Sequence, residues 1–367
     1  SVSGTVKVVE PRLTTAGLMV DSIVVENDNE YEAIEGFGQK RDYTKLSKDE
    51  ILKIIKESGI VGLGGAAFPT HIKNTPPDEK KIEYVVINGA ECEPYLTSDY
   101  RILLEEPEKV ISGLKILLSV FTNAKGFIAI EDNKPEAIEK VKSLLKDESN
   151  IEVATLPTKY PQGGERHLLY ALIGRKLRYN VFPYNIGCIV NNVATTRAIH
   201  MAVAESTPLI DRVLTVTGNA IKTPGNFLVR TGTMYSELVE EAGGFINQPK
   251  KMISGGPMMG EALFSLEVPV SKKSSSLLAL LEDDVEKNET SNCIRCGRCV
   301  KVCPSRIVPQ KMYEYSIQEN YEAFEKIDGM ECCECGSCTY VCPAKLKLTQ
   351  SFRQAKKEVW AKEKANK

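Results

Sequence analysis

CIRCGRCVKVCP, residues 293–304, and CCECGSCTYVCP, residues 332–343, both contain C-x2-C-x2-C-x3-C followed by proline. Three thiolates at two-residue gaps wrap one face of a cubane. The fourth follows a helical step and lies too far round to close the same site. In two-cluster ferredoxins that fourth cysteine ligates the other cluster. The spacing therefore assigns Cys293, Cys296, Cys299 and Cys342 to one [4Fe–4S] cluster, and Cys332, Cys335, Cys338 and Cys303 to a second. Zinc is the competing reading. Its sites favour separated C-x2-C pairs meeting at one tetrahedral point, and two runs of four, each with a following proline, fit cubanes better. Cys333 breaks the spacing and is not expected to be a ligand. The glycines after Cys296 and Cys335 suit tight turns that aim backbone N–H groups at the sulfurs.

Nine of the eleven cysteines lie in this region. Their gaps are too short for a disulfide lattice and call for a reducing compartment. The chain has 367 residues, room for two or three domains. Its 47 basic and 49 acidic residues leave a net charge of −2, which gives no pull towards nucleic acid. No apolar run approaches the roughly 20 residues needed to cross a bilayer, so no transmembrane segment is expected, although docking on a membrane complex is open. No signal peptide is expected either. Ser1 is not an initiator, and the chain reads at once as a strand, so it is expected to begin inside a larger protein.

Working towards the N-terminus, residues 1–45 mix short strands (TVKVV, DSIVV) with polar turns. Ser47 and Glu50 form a capping box for a helix that Gly59 stops. Strands at 81–87, 126–130, 151–156 and 187–192 alternate with helices at 134–146, 165–173 and 194–205. Such alternation argues for an α/β layer with a mostly parallel sheet. After about 208 come short strands broken by Gly and Pro (RVLTVTG, GNFLVRTG, KKMISGG) and one helix at 235–242, a small α+β unit. Residues 271–291, Ser/Lys-rich and then acidic around SLLALL, read as a linker.

Residues 62–70, GLGGAAFPT, loosely satisfy the dinucleotide fingerprint, but a helix precedes the loop and Pro69 closes it. That argues against an ordinary Rossmann site. A glycine loop lets backbone N–H groups approach a phosphate or a flat ring, and Lys73 follows as a phosphate partner. A plain glycine turn beside a surface lysine is the other reading. Three more polar loops, NGAECEP (88–94), PQGGER (161–166) and NNVATT (191–196), sit at strand ends. Strand ends of a parallel sheet gather into one crevice, so four such loops point to a large, flat, polar ligand.

GLGGAAFPTHIK, INGAECEPYLTSDYR, KYPQGGERHLLYAL and IVNNVATTRAI, followed by the two cluster motifs, closely resemble the C subunit of the Rnf complex, a membrane-bound, ion-pumping ferredoxin:NAD⁺ oxidoreductase. They are also similar to the flavin-bearing subunit of respiratory complex I. The resemblance covers nearly the whole chain. It implies an α/β flavin/NADH-binding domain like the complex I flavoprotein subunit, then a small α+β, β-grasp-like (SLBB) domain, then a helical two-[4Fe–4S] ferredoxin-like domain. The boundaries expected are 1–45 for the remnant of a lipoyl-like domain, 46–207, 208–270, a linker over 271–291, 292–350, and a charged helical tail over 351–367.

The resemblance also implies non-covalent FMN with NAD(H) stacked on its ring. Gly62, Gly64, Gly65, Ala66, Lys73, Asn88, Glu91, Glu165, Asn191, Asn192 and Thr195 would hold FMN. Phe68 and Glu93 would face NAD(H). No side chain is needed as acid or base for hydride transfer. The partners implied are the other subunits of the membrane complex, one of them ferredoxin-like, with this chain peripheral on the cytoplasmic face of the bacterial cell membrane. Three departures stand out. Leu63 replaces an arginine of the complex I pattern, Ala67 stands where glycine is usual, and Arg166 replaces an acid. A flavin-dependent cobalamin reductase, a flavin-free two-cluster relay and a zinc scaffold are the alternatives. The lone histidines His71, His167 and His200 have no metal-type spacing, and His200 reads as helix surface or packing.

Overall fold

The structure, a computed structural model, describes residues 2–283, 285 and 287–365. Ser1 of the expected N-terminal remnant, Asp284 and Glu286 of the expected linker, and Asn366 and Lys367 of the expected tail lie outside the described residues. The chain forms two units, Ser1–Arg175 with Phe182–Leu281, and Lys176–Val181 with Glu282–Lys367.

The first unit opens on an antiparallel hairpin of β1 (Gly4–Leu13) and β2 (Met19–Asn27). The Lys48–Glu57 helix follows, begun by the expected capping box: Ser47 N–H donates to Glu50 at 2.7 Å and Glu50 N–H to Ser47 Oγ at 3.4 Å. It buries Ile51 and Ile55. Four strands then build a sheet: β3 (Tyr84–Gly89), β4 (Lys125–Glu131), β5 (Ile151–Leu156) and β6 (Cys188–Asn192). Their order is β5-β4-β3-β6, and every neighbouring pair is parallel. Parallel neighbours require crossover connections, and the helices in them are Pro107–Val120, Pro135–Leu144 and Glu165–Ile173. Val85, Val86 and Ile87 have no exposed surface, as apolar runs covered on both faces should.

Two helices between β3 and β4, Ser98–Glu105 and Pro107–Val120, are additions to the sequence reading. Pro107 is the first residue of the second, where its missing N–H costs nothing. Pro107–Val120 crosses Val193–Glu205 at Gly113. A Cβ there would overlap the Thr196 carbonyl well inside van der Waals contact.

A five-stranded sheet completes this unit: β7 (Asp211–Thr217), β8 (Gly225–Arg230), β9 (Lys251–Ser254), β10 (Glu261–Leu263) and β11 (Ser276–Leu280), in the order β10-β9-β11-β7-β8. Here the linker expectation is overturned. Residues 271–291 contain β11, the central strand, parallel to β7 and antiparallel to β9. Leu277, Leu278 and Ala279 are wholly buried. The apolar run SLLALL outweighs its polar flanks, because a continuous five-residue apolar stretch is what a strand covered on both faces needs.

The second unit packs short helices (Arg298–Lys301, Pro309–Ile317, Tyr321–Lys326, Ser337–Tyr340) around Met312, Phe324 and Phe352. Arg178, from the Lys176–Val181 excursion, lies 3.5 Å from Glu331. A boundary between 350 and 351 is also corrected. One helix runs Leu348–Ala365 and buries Phe352, Ala355, Lys356 and Val359, so the expected tail is part of this core. The charged residues that suggest a solvated tail occupy its outer face, and the buried stripe recurs at helical spacing.

The Gly113 contact yields a prediction of sign. Helix propensity alone favours Gly113→Ala by about 1 kcal/mol. The overlap with a backbone carbonyl should instead destabilise the protein by about 1–3 kcal/mol. A lowered urea midpoint would bear this out, and a raised one would refute the close crossing.

Candidate functional site

Strand order places the site. After β5 the chain returns past β4 to lay β6 on the other side of β3, so the switch in direction falls between the C-terminal ends of β3 and β6. Crevices at such switch points take ligands. Asn88 near the end of β3 pairs in register with Asn192 at the end of β6. The 62–67 loop closes beside them: Gly62 N–H donates to Phe68 O at 2.8 Å and Ala67 N–H to Gly62 O at 3.0 Å. Leu63 N–H donates to Thr195 Oγ1 at 2.8 Å, and a Cβ at Gly64 would stand 3.5 Å from the Asn192 side chain. Gly65, at a φ of 106°, has open space where a side chain would stand, so a flat group can approach its backbone.

Most of the expected flavin residues are therefore brought together. Lys73 donates to Glu165 and to the Val190 carbonyl, both at 2.9 Å. Asn88 donates to Gly163 O at 2.8 Å, and Asn191 to Asn74 Oδ1 at 3.2 Å. Asn192 accepts from Ala194 N–H at 2.8 Å, capping the Val193–Glu205 helix, and donates to Asp99 at 2.6 Å. Gly62 and Ala66 lie in the loop itself, and Phe68 leaves it exposed. Glu93 is turned onto the turn after β9 and accepts from Met258 N–H at 3.1 Å. Ala67 is held at a φ of 51°, a left-handed conformation costing an alanine roughly 1–2 kcal/mol. That gives the departure from glycine a local cost.

The residues fit a bound polar group. Gln162, in the loop that Asn88 touches, has its Nε2 buried with no hydrogen-bond partner among the described residues, a donor facing no acceptor of the protein.

Four contributors were not among the expected residues: Asp99, Asn74, Arg212 and Lys134, which donates to the Glu91 carbonyl at 3.4 Å. Glu91 accepts from Asp99 N–H at 2.9 Å and Tyr100 N–H at 3.2 Å, fixing the start of the Ser98–Glu105 helix. Burial, with the Asp99 charge nearby, pushes Glu91 up to about 7. Burial likewise pushes Asp99 up to about 6, against the Asn192 hydrogen bond and the Arg212 charge. Arg212, from β7, donates to the Leu63 carbonyl at 3.2 Å and to Lys272 O at 2.6 Å. A cation thus reaches the backbone of Leu63. Cys92 accepts from Gly163 N–H at 3.3 Å, and burial pushes its thiol up to about 11. His200 bridges Ser112 at 2.8 Å and Glu205 at 3.2 Å, a packing role.

In the second unit the cysteines line two separate cavities. Cys293, Cys296, Cys299 and Cys342 line one, with Tyr313 and Leu348. Cys303, Cys332, Cys335 and Cys338 line the other, with Thr349 and Phe352, and Cys333 is also on its wall. Cys333 aside, each cavity thus takes three cysteines from one motif and the fourth from the other. Among the described residues no three His, Cys, Asp or Glu side chains meet closely enough to hold a single metal ion. A void walled by four thiols suits a group with several metal atoms.

The desolvated Glu91 carboxyl has a pH signature. Its ordinary value is 4.5, and the folded value is about 7. Between these the folded state holds a proton that the unfolded state has lost, so its contribution to stability falls as pH rises from 4.5 to 7 and is flat above. Melting temperatures of the wild type relative to Glu91→Gln should decline over that window. Parallel profiles would show that Glu91 ionises normally.

Comparison with known proteins gives three matches along the chain. Residues 55–201 match the Nuo51 FMN-binding domain, 213–262 the SLBB domain and 292–346 the 4Fe-4S dicluster domain. The C subunit of the proton-translocating ferredoxin:NAD(+) oxidoreductase complex of Clostridium ljungdahlii is 47% identical over 79% of this chain and 64% of its own length. The C subunit of the Na(+)-translocating complex of Acetobacterium woodii is 43% identical over 98% of this chain and 82% of its own. That of the ion-translocating oxidoreductase complex of Haemophilus influenzae is 41% identical over this whole chain and 56% of its own length. This chain therefore spans between about half and four fifths of these relatives. An NAD⁺-reducing [NiFe]-hydrogenase structure shares the fold, with a TM-score of 0.57 at 19% identity, over 76% of this chain and 54% of that one. No helix among the described residues is long and apolar enough to cross a membrane. With three matched domains in this order and relatives above 40% identity, the chain belongs to the C-subunit family of ion-translocating ferredoxin:NAD⁺ oxidoreductase complexes.

Proposed function

We propose that this chain exchanges electrons between NADH and two [4Fe–4S] clusters by way of non-covalent FMN, as the NAD(H)-binding subunit of a membrane-bound ferredoxin:NAD⁺ oxidoreductase that translocates ions. The observation that carries the reading is the gathering of four polar loops at the switch between β3 and β6 in a chain that also builds two four-cysteine cavities. When bound, FMN would take electrons in pairs from a nicotinamide and pass them singly to the clusters.

The chain's own residues bind and orient. Lys73 supplies a positive charge, held by Glu165, for a phosphate. Gly62, Gly64, Gly65 and Ala66 offer backbone to the flavin, with Asn88, Glu91, Asn191, Asn192 and Thr195 around it. Phe68 and Glu93 are assigned to NAD(H), and Glu93 takes its orientation from Met258 N–H. Cys293, Cys296, Cys299 and Cys342 hold one cluster; Cys332, Cys335, Cys338 and Cys303 hold the other. The β1–β2 hairpin is assigned to a lipoyl-like domain, and the five-stranded mixed sheet with its Tyr235–Glu241 helix to the β-grasp-like domain, now extended through β11. The chain works peripherally on the cytoplasmic face of the cell membrane beside its partner subunits, one of them ferredoxin-like.

Anaerobic absorption of reconstituted protein tests this. About eight irons per chain are expected, with flavin features that bleach on adding NADH. A cluster band without flavin or NADH response would make the chain a relay, and a colourless protein would mean zinc. Glu93→Gln should weaken NADH binding roughly tenfold or more, as for loss of a hydrogen bond to a charged group, and leave FMN content unchanged. A variant that lost FMN and kept its NADH affinity would refute the Glu93 assignment.

A further inference from the structure

The two cysteine motifs are an internal repeat with an offset of 39 residues, Cys293 matching Cys332 and Pro304 matching Pro343. Equivalent positions can therefore be compared, and they differ in charge and exposure. In the second motif Glu334 precedes Cys335, and its carboxylate is held by Lys356 at 2.7 Å and Arg353 at 3.2 Å. In the first motif the matching residue is Arg295, exposed and without an ion pair among the described residues. Arg298 and Lys301 stand where the second motif has Ser337 and Tyr340, and both are exposed.

From 293 to 311 the chain carries Arg295, Arg298, Lys301, Arg306 and Lys311 and not one acidic residue. Only Lys311 has an ion pair among the described residues, with Glu314 at 2.9 Å. Apolar side chains interleave with these cations: Ile294 is 67% exposed and Val308 42%. The cysteines follow the same asymmetry. Cys293 and Cys296 of the first cavity are exposed, whereas Cys335 and Cys338 of the second are buried. Arg295 and Arg298 are themselves on the wall of the first cavity. On the wall of the more accessible cavity the exposed Ile294 thus stands beside two cations, Arg295 and Arg298, unpaired among the described residues.

We infer that this face of the first cavity, lined by Ile294, Arg295 and Arg298 with Lys301 on the short helix that Arg298 begins, is the electron port of the chain, and that it docks an acidic electron-transfer protein carrying its own one-electron centre. The inference rests on the reading that the four cysteines of this cavity hold a redox cluster. The step balances without a proton: one electron leaves the reduced partner, and one is gained by the group that Cys293, Cys296, Cys299 and Cys342 hold. Complementary charge raises the encounter rate more than the affinity, so the proposal concerns rate first.

The test mixes photoreduced acidic bacterial ferredoxin, as probe, with the oxidised holo-chain and follows bleaching of the chain's own cluster band. NADH is left out, so the outcome does not depend on the nicotinamide site; failure of that reading would appear separately, as a flavin that NADH does not bleach. Charge reversal at Arg295→Glu, Arg298→Glu and Lys301→Glu together should slow the second-order rate by tenfold or more at low salt, within the roughly 10- to 1,000-fold range of electrostatic steering. The difference should collapse at about 0.5 M salt, where screening is near complete. Arg295→Lys should retain the fast rate, and iron content should stay at about eight. A triple variant with full iron that matches the wild type at low salt would overturn the assignment. So would an equal loss from Lys53→Glu with Lys56→Glu on the Lys48–Glu57 helix, because the effect would then be one of net charge.

Discussion

The side chain of Asn192 is the joint on which the crevice depends. It ends β6, caps the Val193–Glu205 helix through Ala194 N–H, bonds the buried Asp99 carboxylate, and would lie 3.5 Å from a Cβ at Gly64. Few residues other than asparagine can do this, since one amide group must accept at its oxygen and donate at its nitrogen. Aspartate would keep the cap and place a second negative charge against Asp99; leucine would orphan both partners. The glycine loop, the first turn of the helix and the β3–β6 switch are thus held in a common register by a single carboxamide.

Around it the site concentrates charge in a dry place. Glu91 and Asp99 are half-buried acids with desolvated carboxyl groups; Lys134 and Arg212 are buried cations set among them. Burying such groups costs stability unless each is hydrogen-bonded, and here most of the compensation comes from backbone. Glu91 rests on two helix N–H groups, and Arg212 donates to two carbonyls. Burial lowers the arginine to about 10, still far above neutrality, so it stays charged. It ties the second sheet to the glycine loop, which makes the SLBB-matched region a structural partner of the flavin-matched one.

Much of this was legible before any coordinates. The capping box at Ser47, the strand at 151–156 and the helix at 165–173 emerge as read, because local signals and tertiary demands agree there. The loops that form the crevice were readable as polar breaks after apolar strands, although their convergence is a property of strand order, which no window of sequence contains. Arg212 was invisible for that reason: in RVLTVTG it is an ordinary polar position of a strand, and only the approach of the loop from 149 residues away makes it significant. β11 was missed for the opposite reason. Its flanks carry the composition of a linker, and five apolar residues cannot by periodicity declare which neighbours they will join. The helix Leu348–Ala365 was recognised as a helix and misjudged as free, since its lysines outnumber the few side chains it buries.

The exchange of Cys303 and Cys342 between the two cavities has a consequence for how such a module can change over time. A repeat whose halves each completed their own site could be duplicated, trimmed or recombined one half at a time. Here each half lends its last cysteine to the other, so removing one motif leaves the survivor's cavity without its fourth motif cysteine. The smallest unit that keeps this wiring whole is the pair of motifs.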